Sequence, residues 1–112
     1  MPIYLQILLY IKRGAVAGII RDGDELPSRR MLSALLGINP NTVQKAFSQL
    51  EEEGLIASRS GAKSVMTLTD ETLVQLKADL LKDDIRSITG ALQQMGITKE
   101  EALSLISRFW EE

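Results

Sequence analysis

The amino-acid sequence predicts a mainly helical fold with one small β-hairpin. Three observations support this prediction. Apolar residues recur at helical spacings of three and four along most of the chain. Two of the predicted helices are short and are separated by a tight turn, and two short β-prone runs around a glycine-containing turn come next. The order of these predicted helices and strands indicates a winged helix-turn-helix over residues 1–68, followed by a two-helix C-terminal segment over residues 69–112.

The first helix is predicted over residues 3–20. Its apolar positions have helical spacing: Ile7, Leu8, Ile11, Ala15, Val16 and Ile19. Gly14 and Gly18 weaken the helix locally, and Gly18 lies where it can end it. Residues 21–25 are predicted to form a turn.

The second helix is predicted over about 29–36. Ser28 suits its N-cap, and Gly37 suits the left-handed position just after its last residue. Three leucines are predicted to point inward: Leu32, Leu35 and Leu36.

The third helix is predicted over about 40–53, with Asn39 as N-cap and Pro40 in the first turn. Its buried stripe is expected to contain Val43, Ala46, Phe47 and Leu50. The opposite side is polar, with Asn41, Thr42, Gln44, Lys45 and Ser48. A short helix-turn-helix whose second helix is polar on its free face has the shape that enters a DNA major groove.

Two short strands, over 55–59 and 64–68, are expected to form a wing after the third helix. A long fourth helix, about 71–95, follows a cap at Thr69 or Asp70. Thr98 opens a fifth helix over about 99–111, whose apolar residues are predicted to point inward: Ala102, Leu103, Ile106, Phe109 and Trp110.

The composition excludes several classes of function. The chain has no cysteine and no histidine, so disulfides, Cys–His or Ser–His catalysis and an ordinary zinc site are excluded. Asp79, Asp83 and Asp84 are better explained as a solvated acidic face than as a metal site. We therefore predict no enzyme activity, no metal and no cofactor. The chain shows no signal peptide or membrane span, which favours a cytoplasmic protein.

The charge is distributed unevenly along the chain. Residues 1–68 carry eight Lys/Arg and six Asp/Glu, whereas residues 69–112 carry five and nine, giving +2 and −4. This asymmetry is what we expect if the first part meets phosphates and the second does not.

Four runs of residues, in this order and spacing, resemble a known family. They are Pro2–Ile7, Gly23–Arg30, Leu36–Val43 and Leu50–Ile56. Together they resemble the GntR family of bacterial transcription regulators, and most closely its YtrA-type subgroup. The resemblance implies a dimeric regulator that binds a palindromic operator in double-stranded DNA, often as a repressor of a transporter operon.

The resemblance and the residue chemistry together predict a DNA-binding set. Gln44 and Asn41 suit an adenine edge, and Thr42 suits a phosphate or a thymine methyl. Many family members have arginine where this chain has Pro40 and Gln44, so base reading here is expected to use amides. The set comprises Arg29, Arg30, Asn39, Asn41, Thr42, Gln44, Lys45, Arg59, Gly61 and Lys63. Taken singly, each of these residues also fits a solvated helix face or turn.

The two C-terminal helices are predicted to form a homodimer, because the long fourth helix is too apolar on one side for its short partner to cover. The predicted dimerisation residues are Leu73, Leu76, Leu80, Ile88, Leu92, Phe109 and Trp110. The sequence gives no indication of a small-molecule effector. The alternative function is a winged-helix protein-interaction adaptor that binds no operator, which would be expected to expose apolar residues on the third helix.

Overall fold

The computed structural model describes residues 1–58 and 63–112. Within these residues the predicted fold class is confirmed, as a mainly helical chain with a small antiparallel sheet. The elements, in order, are α1 (Ile3–Val16), β1 (Glu25–Leu26), α2 (Arg29–Leu36), α3 (Pro40–Glu52), β2 (Ile56–Ser58), β3 (Ser64–Met66), α4 (Asp70–Gln94) and α5 (Lys99–Trp110).

Helix α1 ends four residues earlier than predicted, at Val16. The backbone N–H groups of Ile19 and Ile20 both donate to the carbonyl oxygen of Gly14 at 3.0 Å. Gly18 has a φ of 78°, the left-handed conformation that glycine adopts without a steric penalty after a helix end. Ile19 lies beyond this reversal, so it is outside the helix in which it was predicted, and its side chain is exposed.

The sheet has a strand, β1, that was not predicted: Glu25 was assigned to a turn, and Leu26 was assigned to no helix or strand. The strand order is β1-β3-β2, and both pairs are antiparallel. Glu25 lies opposite Val65, and Leu26 lies opposite Ser64. A two-residue strand is too short to show an alternating pattern, and Pro27 immediately after it reads as a loop residue. The wing is therefore tied to the segment that leads into α2.

The buried stripe predicted for α3 is confirmed. Its four residues are almost fully inaccessible and form the centre of the core: Val43, Ala46, Phe47 and Leu50. Leu8, Ile11 and Ala15 of α1 are buried as well. The core also contains residues of β2, β3 and the segments next to them: Leu55, Ile56, Met66 and Leu68. Burial of this apolar surface, at about 25 cal/mol per Å², holds α3 in place.

Helix α2 differs from the prediction in which residues it buries. Its buried residue is Ser33, whereas Leu35 and Leu36 are exposed. The Ser33 hydroxyl donates to the carbonyl oxygen of Ile38. Leu35 is about 200° around the helix from Ser33 at 100° per residue, so the two residues cannot both face the core. Leu36 lines an open apolar groove between α1 and α2.

By its internal contacts the chain forms two compact units, Met1–Lys77 and Ala78–Glu112. The first turns of α4 belong to the first unit, where Leu76 is buried. The division between 68 and 69 stays a prediction. Helix α4 begins after Thr69, whose hydroxyl accepts from the N–H of Thr72 at 3.1 Å.

The second unit contains the rest of α4 and all of α5. The predicted cap of α5 is present, because the Thr98 hydroxyl accepts from the N–H of Glu101 at 3.2 Å. Neither α4, α5 nor any other helix in the described part of the chain combines the length and apolarity needed to cross a membrane.

Candidate nucleic-acid interface

The start of α3 is held by local backbone chemistry. Gly37 ends α2 with a φ of 64°, and Asn39 caps α3. The Asn39 side-chain oxygen accepts from the N–H of Asn41 at 2.8 Å, and Pro40 occupies the first turn. These features agree with the predicted turn and orient the first turn of α3 relative to α2.

The free face of α3 is polar. Asn41, Gln44, Lys45 and Ser48 are exposed, and Thr42 is half-buried. No large apolar side chain within Pro40–Glu52, a range that the structure describes throughout, is exposed. This surface differs from the one expected of an apolar docking module.

One of the predicted base-reading side chains has a partner on its own helix. The side-chain amide nitrogen of Gln44 donates to the hydroxyl of Ser48 at 3.0 Å. The two residues are one helical turn apart, the spacing at which side chains meet on a helix surface. Ser48 was predicted to lie on this polar face, with no role of its own.

Lys45 is held against the head of α1. Its ammonium nitrogen lies 4.0 Å from the centre of the Tyr4 ring, which is within range of a cation–π interaction. The contact borders an open hollow of about 500 Å³. Its lining includes Pro2, Ile3, Tyr4, Asn39, Asn41, Thr42 and Lys45. Sequence reasoning missed Tyr4, because nothing in the local pattern shows that α1 and α3 begin side by side.

The two arginines at the start of α2 lie in different surroundings. The guanidinium of Arg29 lies 5.2 Å from the centre of the buried Phe47 ring. Its Nε atom is buried and has no hydrogen-bond partner in the described part of the chain. Arg30 is exposed. Arg30 therefore lies open to a phosphate, whereas Arg29 packs against the core.

The wing is described only in part. Lys63 is exposed, and its ammonium nitrogen lies 3.7 Å from a carboxylate oxygen of Glu25. Both side chains are largely in solvent, so this pair is weak and screened by salt. Arg59 and Gly61, which we predicted as wing contacts, lie outside the described residues.

The acidic end of α3 makes contacts within the protein. A Glu53 carboxylate oxygen lies 2.8 Å from the Lys12 ammonium, and its other oxygen accepts from Gln49 at 3.1 Å. A Glu51 carboxylate oxygen accepts from the Ser58 hydroxyl at 2.7 Å. Three successive acids at a helix C-terminus are unfavourable for the helix dipole, and the Lys12 ammonium offsets part of that cost.

The predicted dimerisation residues fall into three groups. Leu76 is buried within the first unit, and Leu73, Leu80 and Leu92 are half-buried. Ile88, Phe109 and Trp110 are exposed. The expectation that Leu103, Ile106, Phe109 and Trp110 point inward is wrong for the single chain, because a two-helix unit has no further layer to cover them.

A short helix-turn-helix with a polar second helix, followed by a paired hairpin, defines a winged-helix DNA-binding protein. The sequence pattern described as "Bacterial regulatory proteins, gntR family" matches residues 3–66. The chain belongs to the GntR family of DNA-binding transcription regulators. This membership confirms the predicted family and the prediction that the protein is not an enzyme.

The relatives are similar over nearly the whole chain. The HTH-type transcriptional regulator YhcF of Bacillus subtilis (strain 168) is 34% identical over 98% of this chain and 91% of its own length. The HTH-type transcriptional repressor YtrA of the same organism is 35% identical, over 89% of this chain and 78% of its own length. The predicted YtrA-type subgroup is thereby confirmed.

A solved structure agrees with the fold. The GntR family transcriptional regulator from Listeria monocytogenes superposes with a TM-score of 0.84 at 32% identity, covering 96% of this chain and 95% of its own. The similarity therefore extends past the wing into the two C-terminal helices.

Proposed function

We propose that the protein is a homodimeric repressor that binds a palindromic operator through α3 and the wing. The observation that carries the proposal is the exposed apolar surface of the second unit. Residues Ala78–Glu112, all of which the structure describes, include no buried residue. Phe109 is 62% exposed and Trp110 83% exposed.

Such a surface favours association with a second copy. The exposed large apolar side chains of this unit are Leu81, Ile85, Ile88, Met95, Leu103, Ile106, Phe109 and Trp110. Soluble monomers rarely leave so many apolar side chains in water on so small a unit. An isologous contact between two copies would bury the same patch on each, with aromatic residues as its anchors.

A dimer also supplies what operator recognition requires. Two recognition helices related by twofold symmetry fit two half-sites spaced by about one turn of DNA. The first unit would then supply the DNA contacts, with Gln44 and Asn41 reading bases and Arg30, Lys45 and Lys63 binding phosphates. Localisation in the cytoplasm agrees with this function.

The proposals that the protein represses transcription and that its target is a transporter-type operon are supported by its relatives. The YtrA relative is a transcriptional repressor by name, and the family resemblance favours a transporter-type operon as the target. Occupation of an operator that overlaps a promoter would prevent transcription without any catalytic step.

Gel retardation tests operator binding. The protein should retard DNA from upstream of its own gene at nanomolar to micromolar concentrations, and excess random DNA should compete poorly. Affinity should fall steeply as salt rises, because phosphate contacts release counterions. Equal retardation of random DNA would contradict operator recognition, and no retardation would support the adaptor alternative.

A reporter placed behind the same upstream DNA tests repression. Expression should fall when the protein is supplied and should recover with the Gln44→Ala variant. Expression that rises when the protein is supplied would contradict repression while leaving DNA binding intact.

A further inference from the structure

We propose that Ser48 is a positioning residue for base recognition: its hydroxyl holds the side chain of Gln44 in place to read a base. This inference rests on the proposed function, because it assumes that Gln44 contacts a base edge.

The geometry begins with the Gln44–Ser48 hydrogen bond. The amide nitrogen of Gln44 donates to the Ser48 hydroxyl at 3.0 Å across one helical turn. Both side chains are exposed on the free face of α3. A free glutamine side chain samples many rotamers, and ordering it on binding costs conformational entropy. A hydrogen-bond partner four residues along the helix orders the side chain in the free protein and so removes part of that cost on DNA binding.

The hydrogen bond to Ser48 leaves enough of the Gln44 amide free to contact a base. A glutamine amide has two N–H donors and one oxygen acceptor. With one N–H given to Ser48, the other N–H and the oxygen remain, and adenine requires one donor and one acceptor in the major groove. The Ser48 hydroxyl can either accept or donate, so it restrains the position of the Gln44 side chain without selecting one of the two amide orientations.

A double-mutant comparison tests this role. Base preference is measured by selecting sites from random DNA and then titrating single-base variants of the selected site. Ser48→Ala should reduce the preference at the base step read by Gln44 by about three- to tenfold, the size expected for one hydrogen bond. In a Gln44→Ala background, the same substitution should have no further effect.

Three controls separate positioning from structure. Ser48→Thr keeps a hydroxyl and should restore most of the preference. Ser104→Ala makes the same change on an exposed face of α5 and should leave the preference at wild-type values. The melting temperature of Ser48→Ala should equal or exceed that of the wild type, because alanine favours a helix more than serine does.

The outcomes are distinguishable. An equal effect of Ser48→Ala with and without Gln44 would overturn the inference, because Ser48 would then contact DNA by itself. If Ser48→Ala did not change the base preference of the otherwise wild-type protein, the inference would also be overturned. If Gln44→Ala still reduced that preference, the proposed role of Gln44 in reading a base would stand. A Gln44→Ala variant with unchanged base preference would overturn both this inference and the proposed role of Gln44.

Discussion

Base reading and phosphate binding are expected to reside in different side chains. Gln44 presents an amide on α3, which can match the donor and acceptor pattern of one base. Lys63 presents an ammonium beside the wing and is only weakly paired with Glu25 at 3.7 Å. A point charge attracts phosphates regardless of sequence, so the two residues should differ in what they contribute.

Gln44→Ala and Lys63→Ala test this difference. Gln44→Ala should cost ~1–3 kcal/mol on the preferred site and relax the preference at one base step. Lys63→Ala should weaken binding to all sequences alike and reduce the slope of log affinity against log salt by about one. Titrations at several salt concentrations measure both effects. Identical behaviour of the two variants would show that the roles are wrongly assigned.

The neighbouring arginines Arg29 and Arg30 give a second comparison. Arg29 packs on the Phe47 ring, so Arg29→Ala should lower the free energy of unfolding by about 1 kcal/mol through lost packing. Arg30→Ala should leave stability near the wild-type value and weaken binding to every sequence. Urea denaturation and DNA titration of both variants measure these effects. The reverse pattern would mean that Arg29, not Arg30, meets the phosphates.

At the scale of secondary structure, local chemistry predicted α3 well. Asn39, Pro40 and Gly37 mark the helix boundaries through capping and turn preferences, and these depend on only a few neighbouring residues. The strand Glu25–Leu26 was missed, because its partner Ser64–Met66 lies some forty residues away in the chain. Pairing over that separation leaves no periodic signal in a two-residue strand.

Helical spacing was enough to predict which residues lie on the polar face of α3. It was not enough to predict which side chains from other helices contact the candidate DNA-binding residues. The polar positions of α3 follow from the turn of 100° per residue. The contacts of Lys45 with Tyr4 and of Arg29 with Phe47 depend on how separate helices pack. Sequence spacing alone could not distinguish Arg29 from Arg30 in this respect.

The ion pair between α1 and α3 gives a test at this scale. Lys12 and Glu53 are 2.8 Å apart, and their side chains are 13% and 34% exposed. Because both are partly shielded from water, a double-mutant cycle with Lys12→Met and Glu53→Gln should give a coupling of about 1 kcal/mol. Urea denaturation of the four proteins measures it. A coupling near zero would show that the pair adds nothing to the packing of α1 on α3.

At the scale of the whole molecule, operator binding is expected to require two copies of the chain. A single recognition helix with Pro40 in place of a basic residue offers few contacts to one half-site. Two copies joined through the second unit would double the contacts without a change in the reading chemistry. The exposed aromatic residues Phe109 and Trp110 are the expected anchors of that contact.

Trp110→Ala tests the proposed dimer contact. Removal of a central aromatic anchor typically costs ~2 kcal/mol or more, so the dimer dissociation constant should rise at least about thirtyfold. Leu35→Ala is the matched control, because Leu35 is 71% exposed but lies in the first unit. Sedimentation at several concentrations measures both variants. Equal dissociation constants for Trp110→Ala and the wild type would place the interface elsewhere.

The most direct test of a dimeric operator-binding regulator is the mass of its complex with DNA. Sedimentation equilibrium of the protein with a duplex carrying one selected site gives the number of chains bound. Two chains should bind per duplex, adding twice the chain mass of 12.4 kDa, and the free protein should have the mass of two chains at micromolar concentration. One chain per duplex at saturation, with a monomeric free protein, would show that the regulator does not act as a dimer.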